Sequence, residues 1–393
     1  MRARKTLLMF VVFAALVVIW AIRRRGEREV SARPILTVLQ ALGPGLHDDG
    51  FARANAPREF RFPDDHGPHP EFRNEWWYWT GNLVAAGGRA FGFELTIFRT
   101  ALAPDQDPHR ASAWAPRDIY MAHFTISDIA AGRFHAFERT SRGALDLAGA
   151  KTAPWRMWVL DWSAVGPDDV TTALPFHLRA GEGNISLDLS LEQGKSPVLE
   201  GDRGLSKKGP EPDNASYYYS LTRMPTSGIL TVQGERFEVR GESWMDREWS
   251  TRALSSEQVG WNWFALRLDD GRELMFFHLR RRDGKKDAWS SGTLVDRDGT
   301  SRPLGADDVT VEPIGLWTSP RSNTEYPASF RLAVAAAALD LRVLPLLADQ
   351  ELDLTFRYWE GAVRIEGTAA GATAKGFGYL ELTGYGDEAR QPR

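Results

Sequence analysis

Two kinds of apolar patterning divide the chain. Leu7 to Ile22 is an unbroken apolar run of 16 residues, bounded by Arg2, Arg4 and Lys5 before it and Arg23-Arg24-Arg25 after it. From about Pro57 onward, apolar and polar residues instead alternate over segments of five to ten residues, separated by Gly, Asp, Asn and Pro. Trp76–Leu83, Ala90–Phe98, Ile119–Ile126, Asn184–Leu191, Ile229–Val232, Arg236–Val239, Trp261–Leu268, Glu273–Leu279, Leu352–Tyr358 and Ala362–Gly367 all read as strands. Strands at this density, with turn residues between them, predict an all-β barrel or sandwich. Within this body only Leu332 to Leu341, with Ala335–Ala338 at its centre, admits a helix, and its two ends also alternate. The polar, turn-rich tract Glu192–Ala215 reads as a long exposed loop.

The leading run has the position and charged start of an export signal. Trp20-Ala21-Ile22-Arg23 stands where a small-x-small cleavage site would be, and the run is slightly short of a typical span. Residues 1–25 are therefore expected to be a signal anchor or a signal peptide, and 26–56 a tether. Both alternatives place the body outside the cytoplasm, periplasmic or secreted.

The body carries an internal repeat. Trp77-Tyr78-Trp79, then Gly88-Arg89, then a second alternating strand describes one hairpin; Trp261-Asn262-Trp263, then Gly271-Arg272, then Glu273–Arg280 describes another. Positive-φ residues suited to hairpin turns stand at Gly87-Gly88 and Asp270-Gly271. Recurrence after about half of the body predicts two similar β domains, 57–230 and 231–393, joined near Thr226–Gly234.

Composition sharpens this picture. The 393 residues carry a formal charge of −4, but residues 1–33 hold eight basic and two acidic side chains, while the remaining 360 hold 40 basic and 50 acidic ones. An acidic body gives no footing for nucleic acid. The absence of cysteine excludes disulfides, thiolate metal ligation and a thiol nucleophile. No Gly-x-Ser-x-Gly elbow, P-loop or Gly-x-Gly-x-x-Gly motif is present. Asp64-Asp65-His66-Gly67-Pro68-His69 has metal-ligating residue types but no spaced partner, so no metal is expected.

The 15 tryptophans cluster. Trp77/Trp79 and Trp261/Trp263 share a strand face in each hairpin, and Trp244 and Trp249 flank Asp246-Arg247-Glu248. They serve either as barrel core or as the aromatic wall of a cavity for an apolar ligand. Carboxylates among them, at Glu75, Glu94, Asp246 and Glu248, either pair with an arginine such as Arg247, Arg99 or Arg280, or have a raised pKa and deliver a proton.

Glu75–Leu83, Tyr217–Thr222, Gly241–Trp249, Gly260–Phe264 and Gly378–Tyr385, in this order, resemble the AttH/CrtC family over nearly the whole body. The resemblance implies two tandem lipocalin-like β-barrels and no cofactor. Many members of this family are exported and described as predicted secreted hydrolases, and some are encoded with ABC transport components. One branch hydrates carotenoids at a terminal double bond. That branch has histidine where this chain has Arg247, and an aspartate in the region of Met275–His278 that this chain lacks. Arginine is permanently protonated and delivers no proton to an alkene. Asp246, Glu248 or His278 would have to substitute, with Asp246 and Glu248 the catalytic candidates. Glu75, Trp77, Trp79, Trp244, Arg247, Trp249, Trp261, Trp263 and His278 are the candidate ligand contacts. The expectation is a membrane-tethered binder of a lipid or isoprenoid-like molecule, or a cofactor-free hydratase.

Overall fold

A computed structural model describes residues 48–104, 112, 114–169, 171–252 and 254–386. The expected leader and most of the tether lie outside these residues. The end of that tether, 48–56, packs on the body: Phe51 and Ala54 are buried, and the Ala52 amide donates to the Glu71 carbonyl at 2.9 Å.

The architecture is all-β, in two curled antiparallel sheets within one compact unit. The first contains β1 (Asn74–Ala85), β2 (Ala90–Ala101), β3 (Asp118–Asp128), β4 (Arg133–Arg142), β5 (Ala148–Lys151), β6 (Arg156–Val159) and β7 (Trp162–Val165). It continues with β8 (Phe176–Glu182), β9 (Ile185–Leu191), β10 (Val198–Leu199), β11 (Leu205–Lys207), β12 (Ala215–Val232) and β13 (Glu235–Ser250). Its main order is β4-β3-β2-β1-β13-β12-β9-β8-β7-β6-β5. The second contains β14 (Gln258–Leu268), β15 (Glu273–Arg281), β16 (Ser291–Val295), β17 (Ser301–Leu304), β18 (Thr310–Thr318) and β19 (Glu325–Val334). It closes with β20 (Leu339–Pro345), β21 (Glu351–Asp353), β22 (Arg357–Ala369) and β23 (Ala372–Thr383), in the order β17-β16-β15-β14-β23-β22-β20-β19-β18. The first sheet thus extends to Ser250, past the junction expected near residue 230, because β13 pairs with β1 from Asn74↔Ser250 to Ala85↔Val239. Leu332–Leu341 is two strands joined by a short 3-10 turn, not a helix.

Both hairpins of the repeat are present, β1–β2 and β14–β15, with Gly87 (φ 77°), Gly88 (φ 83°) and Gly271 (φ 87°) at their turns. Each sheet buries its own apolar core. Trp77, Trp79, Phe93, Leu95, Trp155, Trp162, Phe176, Met245 and Trp249 belong to the first. Phe264, Leu266, Phe276, Phe330, Trp359 and Leu380 belong to the second. A third apolar cluster, with Tyr78, Tyr218, Trp244, Trp263, Met275, Phe277 and Tyr379, joins strands of both sheets. Side chains point alternately to opposite faces of a strand, so the strands at this seam are buried on both. On β2, Phe93, Leu95 and Ile97 enter the first core while Glu94, Thr96 and Phe98 face the seam. Gly92 permits the close approach of the sheets: a Cβ there would lie 2.6 Å from the Ala362 Cβ.

Candidate functional site

A cavity of about 500 Å³ opens at this seam. Its walls come from β1, β2, β3, β12 and β13 on one side and from β14, β15, β22 and β23 on the other. Trp76, Tyr78, Phe98, Tyr218, Trp261, Trp263, Phe277, Phe356 and Tyr358 make it predominantly aromatic. Among these stand the carboxyl groups of Glu94, Asp246, Glu248, Glu360 and Glu381.

Asp246 is held by three donors. The Tyr218 hydroxyl donates to its Oδ2 at 2.5 Å, and the Ser220 hydroxyl and Trp244 Nε1 lie 2.6 and 2.7 Å from its Oδ1. These bonds favour the carboxylate, but burial outweighs them and pushes the group up to about 7. Ser220 Oγ also lies 3.0 Å from Glu200 Oε1. One hydroxyl has one proton and cannot donate to both, so one of the two acids is itself protonated and donates to Ser220. Burial pushes Glu200 up to about 8, which makes it that acid near neutral pH.

Glu248 differs in having a counter-charge. Lys208 forms an ion pair with it, and the Lys208 ammonium also donates to the Ser216 hydroxyl at 2.7 Å. Lys208 and Glu200 both come from Glu192–Ala215. That tract is not the exposed loop its composition suggests: β10 and β11 pair with β12, burying Glu200, Leu205, Ser206 and Lys208.

At the other end of the cavity, Glu360 accepts a hydrogen bond from the Tyr78 hydroxyl. Glu94 accepts from Thr96 Oγ1 at 2.8 Å and from the Tyr358 hydroxyl at 3.3 Å. Burial raises both carboxyl groups, Glu360 well above the usual range. Glu381, contacted by Trp261 Nε1 at 3.2 Å, is pushed by burial up to about 8. Burial thus favours the neutral form of several of these acids, beside the ion-paired Glu248.

Of the candidate residues, Asp246, Glu248, Glu75, Trp261 and Trp263 line this cavity, and Trp244 supports Asp246 from behind. Trp77, Trp79, Arg247 and Trp249 face the first core instead, because they alternate with Trp76, Tyr78, Asp246 and Glu248 on their strands. Arg247 is sandwiched between the Trp77 and Trp249 rings, 4.0 and 5.0 Å from their centroids, and ion-pairs with Glu75. Arg99 ion-pairs with Glu75 as well, and the two guanidinium groups hold Glu75 far below the usual carboxylate range against the opposing effect of burial. Glu75 is thus a structural anion at the cavity edge. His278 is not among the lining residues; burial lowers its imidazole to about 4. The Asp64–His69 segment plugs the first barrel: both Trp77 Nε1 and Trp155 Nε1 donate to the His66 carbonyl, and His69 stacks on Trp249 at 3.8 Å. Among the described residues no cluster of His, Asp and Glu is arranged to hold a metal ion.

Sequence reasoning did not select Tyr78, Lys208, Tyr218, Ser220, Glu360 or Glu381. The signal that picked out Glu94, a carboxylate within an aromatic strand, is equally present in Tyr358-Trp359-Glu360 and in Tyr379-Leu380-Glu381.

Residues 53–385 match the model of the AttH-like family. No curated protein matches the chain. The crystal structure of an AttH protein from Nitrosomonas europaea is 36% identical and covers 85% of this chain and 100% of its own, with a TM-score of 0.74. Kievitone hydratase from Nectria haematococca shares the fold at 15% identity, over 86% of this chain and 96% of its own, with a TM-score of 0.63.

Proposed function

The chain belongs to the AttH-like family, and on that footing we propose that its seam cavity binds a lipophilic, unsaturated molecule and that Asp246 acts on it as a general acid. The observation that carries this reading is a buried carboxyl pushed up to about 7 in an aromatic-walled space of about 500 Å³. A volume of that size suits a small lipophilic ligand. A group titrating near neutral pH is poised both to give and to retake a proton.

Hydration of an electron-rich double bond fits these parts without a cofactor. The Asp246 carboxyl gives its proton to one alkene carbon, and the π pair becomes the new C–H bond. The other carbon becomes a cation, stabilised by the faces of the surrounding Tyr and Trp rings. Water, oriented by the Glu248 carboxylate, adds its oxygen lone pair to that carbon. The surplus proton returns to the Asp246 carboxylate. The net change is addition of one water, with no oxidation or reduction. Kievitone hydratase, which shares the fold, bears an activity of this class in its name. Extracytoplasmic placement and a membrane tether remain part of the proposal through residues 1–25.

The test is incubation with acyclic terpenoid alkenes in oxygen-18 water. Wild type is expected to yield labelled alcohol, and Asp246→Asn to yield none while still binding the alkene. Binding without labelled product in wild type would reduce the site to a carrier pocket and refute the acid step.

A further inference from the structure

Glu94 and Glu360 face the cavity from opposite sheets, on β2 and β22. They are 0% and 1% exposed. On each, one carboxyl oxygen has its partners described above, and the other, Oε2, has no partner within hydrogen-bond distance, although the equally unpartnered Thr125 hydroxyl stands beside Glu94 on β3. Buried polar atoms are rarely left unpaired, and such an orphan in a cavity points to a ligand group that satisfies it. Charge indicates which kind of group. Four lining carboxyls, Glu94, Asp246, Glu360 and Glu381, have no lysine or arginine partner among the described residues. The lining lysine and arginine are already engaged, Lys208 by Glu248 and Arg99 by Glu75 and Asp118. Aromatic faces beside carboxyl groups are the surroundings that recognise ammonium groups.

We propose that Glu94 and Glu360 form a subsite for the protonated amine of a lipophilic ligand, its apolar part lying along the aromatic walls. The proposal rests on the cavity being the ligand site but not on proton transfer by Asp246. The groups facing the pair are Tyr78 from β1, Thr96 from β2, His123 and Thr125 from β3, Asp246 from β13, Tyr358 from β22, and Tyr379 and Glu381 from β23. His123 Nδ1 is 2.6 Å from the Tyr358 hydroxyl, and its Nε2 is 3.3 Å from Glu138. In the empty site burial favours the protonated form of both groups, and the charge of any neighbouring carboxylate raises Glu360 further. Arrival of an ammonium favours ionisation of one of them. One carboxyl then becomes a carboxylate facing the ammonium, and its proton leaves for solvent.

Calorimetric titration with decylamine and with 1-decanol, near neutral pH in phosphate and in Tris, reads this directly. The two buffers differ in ionisation enthalpy, so their heats report protons released. Decylamine is expected to bind about tenfold or more tighter than 1-decanol, as about one charge-assisted hydrogen bond implies. It should release protons on binding, and 1-decanol none. Glu94→Gln/Glu360→Gln should abolish the preference and the proton release while still binding 1-decanol. Glu360→Gln alone, with a thermal melt, covers the case in which the double variant does not fold. Equal or tighter binding of 1-decanol by wild type, or a preference that survives both substitutions, would overturn the subsite and leave the cavity reading standing. Binding of neither probe would overturn both.

Discussion

Asp246→Asn removes one buried ionisation while keeping the side chain's shape, and its consequence for stability has a definite sign. In the unfolded chain this carboxyl ionises near its ordinary 3.8, and in the folded protein near 7. Between these values the folded state keeps a proton that the unfolded chain has released. Folding is therefore favoured most below about pH 4, loses stability as pH rises, and reaches its lowest contribution above about pH 7. The gap of about three pH units is worth about 4 kcal/mol, and relaxation around a cavity reduces that to about 2–4 kcal/mol. Asparagine has no such titration. The stability difference, variant minus wild type, should accordingly grow by about 2–4 kcal/mol between about pH 4.5 and 8. Glu200 and Glu381 titrate in both proteins and largely cancel in this difference. Glu200 and Glu381 each add a small contribution of the same sign, because the Asp246 charge is one of the causes that raise both. Urea unfolding at several pH values, followed by tryptophan fluorescence, measures the effect. A difference constant to within about 1 kcal/mol would show that Asp246 is not a buried, proton-holding acid. The catalytic role would fall with it.

Trp249→Ala should destabilise the protein by about 3–5 kcal/mol while leaving 1-decanol affinity near wild type, because Trp249 fills the first core and not the cavity. Chemical denaturation and titration calorimetry on one preparation separate the two effects, and lost affinity with intact stability would place Trp249 at the ligand. Lys208→Met leaves Glu248 buried without its counter-charge and should cost about 3–5 kcal/mol. Adding Glu248→Gln should restore most of that loss in urea melts; no recovery would mean that Lys208 acts through packing alone.

Much of the fold is legible in the pattern of the chain. Alternation locates most long strands, and the Gly turns locate both repeated hairpins, because turn chemistry and period-2 burial are local properties. The repeat also misleads. It aligns Trp77 with Trp261 and Trp79 with Trp263, yet the first pair faces a core and the second faces the seam. Matching positions are offset by one residue, and one residue reverses the face of every side chain in a strand. Aligning Phe264 with Trp79, both core residues, restores the correspondence. The tract Glu192–Ala215 fails for another reason. Its Gly, Pro and Lys content reads as solvent-exposed, but Lys208 is stabilised in the interior by Glu248, a partner 40 residues away that local composition does not reveal.

The position of the acid follows from the same strand geometry. Asp246, Arg247 and Glu248 are neighbours in sequence, and an ion pair among them looks natural. A pleated strand forbids it by sending Arg247 to one face and the two acids to the other. Arg247 then meets Glu75 and the Trp77 and Trp249 rings inside the first barrel, whose core is filled. Asp246 and Glu248 emerge on the outer face of that sheet. An acid on the outside of a lone barrel would meet water and stay ionised at its ordinary pKa. It is the second sheet, packed against this face through Trp263, Phe277 and Tyr379, that withdraws the solvent. Neither barrel holds the site alone: the first supplies Asp246 with its hydrogen bonds, the second supplies dryness, and the proton held by Asp246 near neutral pH is a property of their contact.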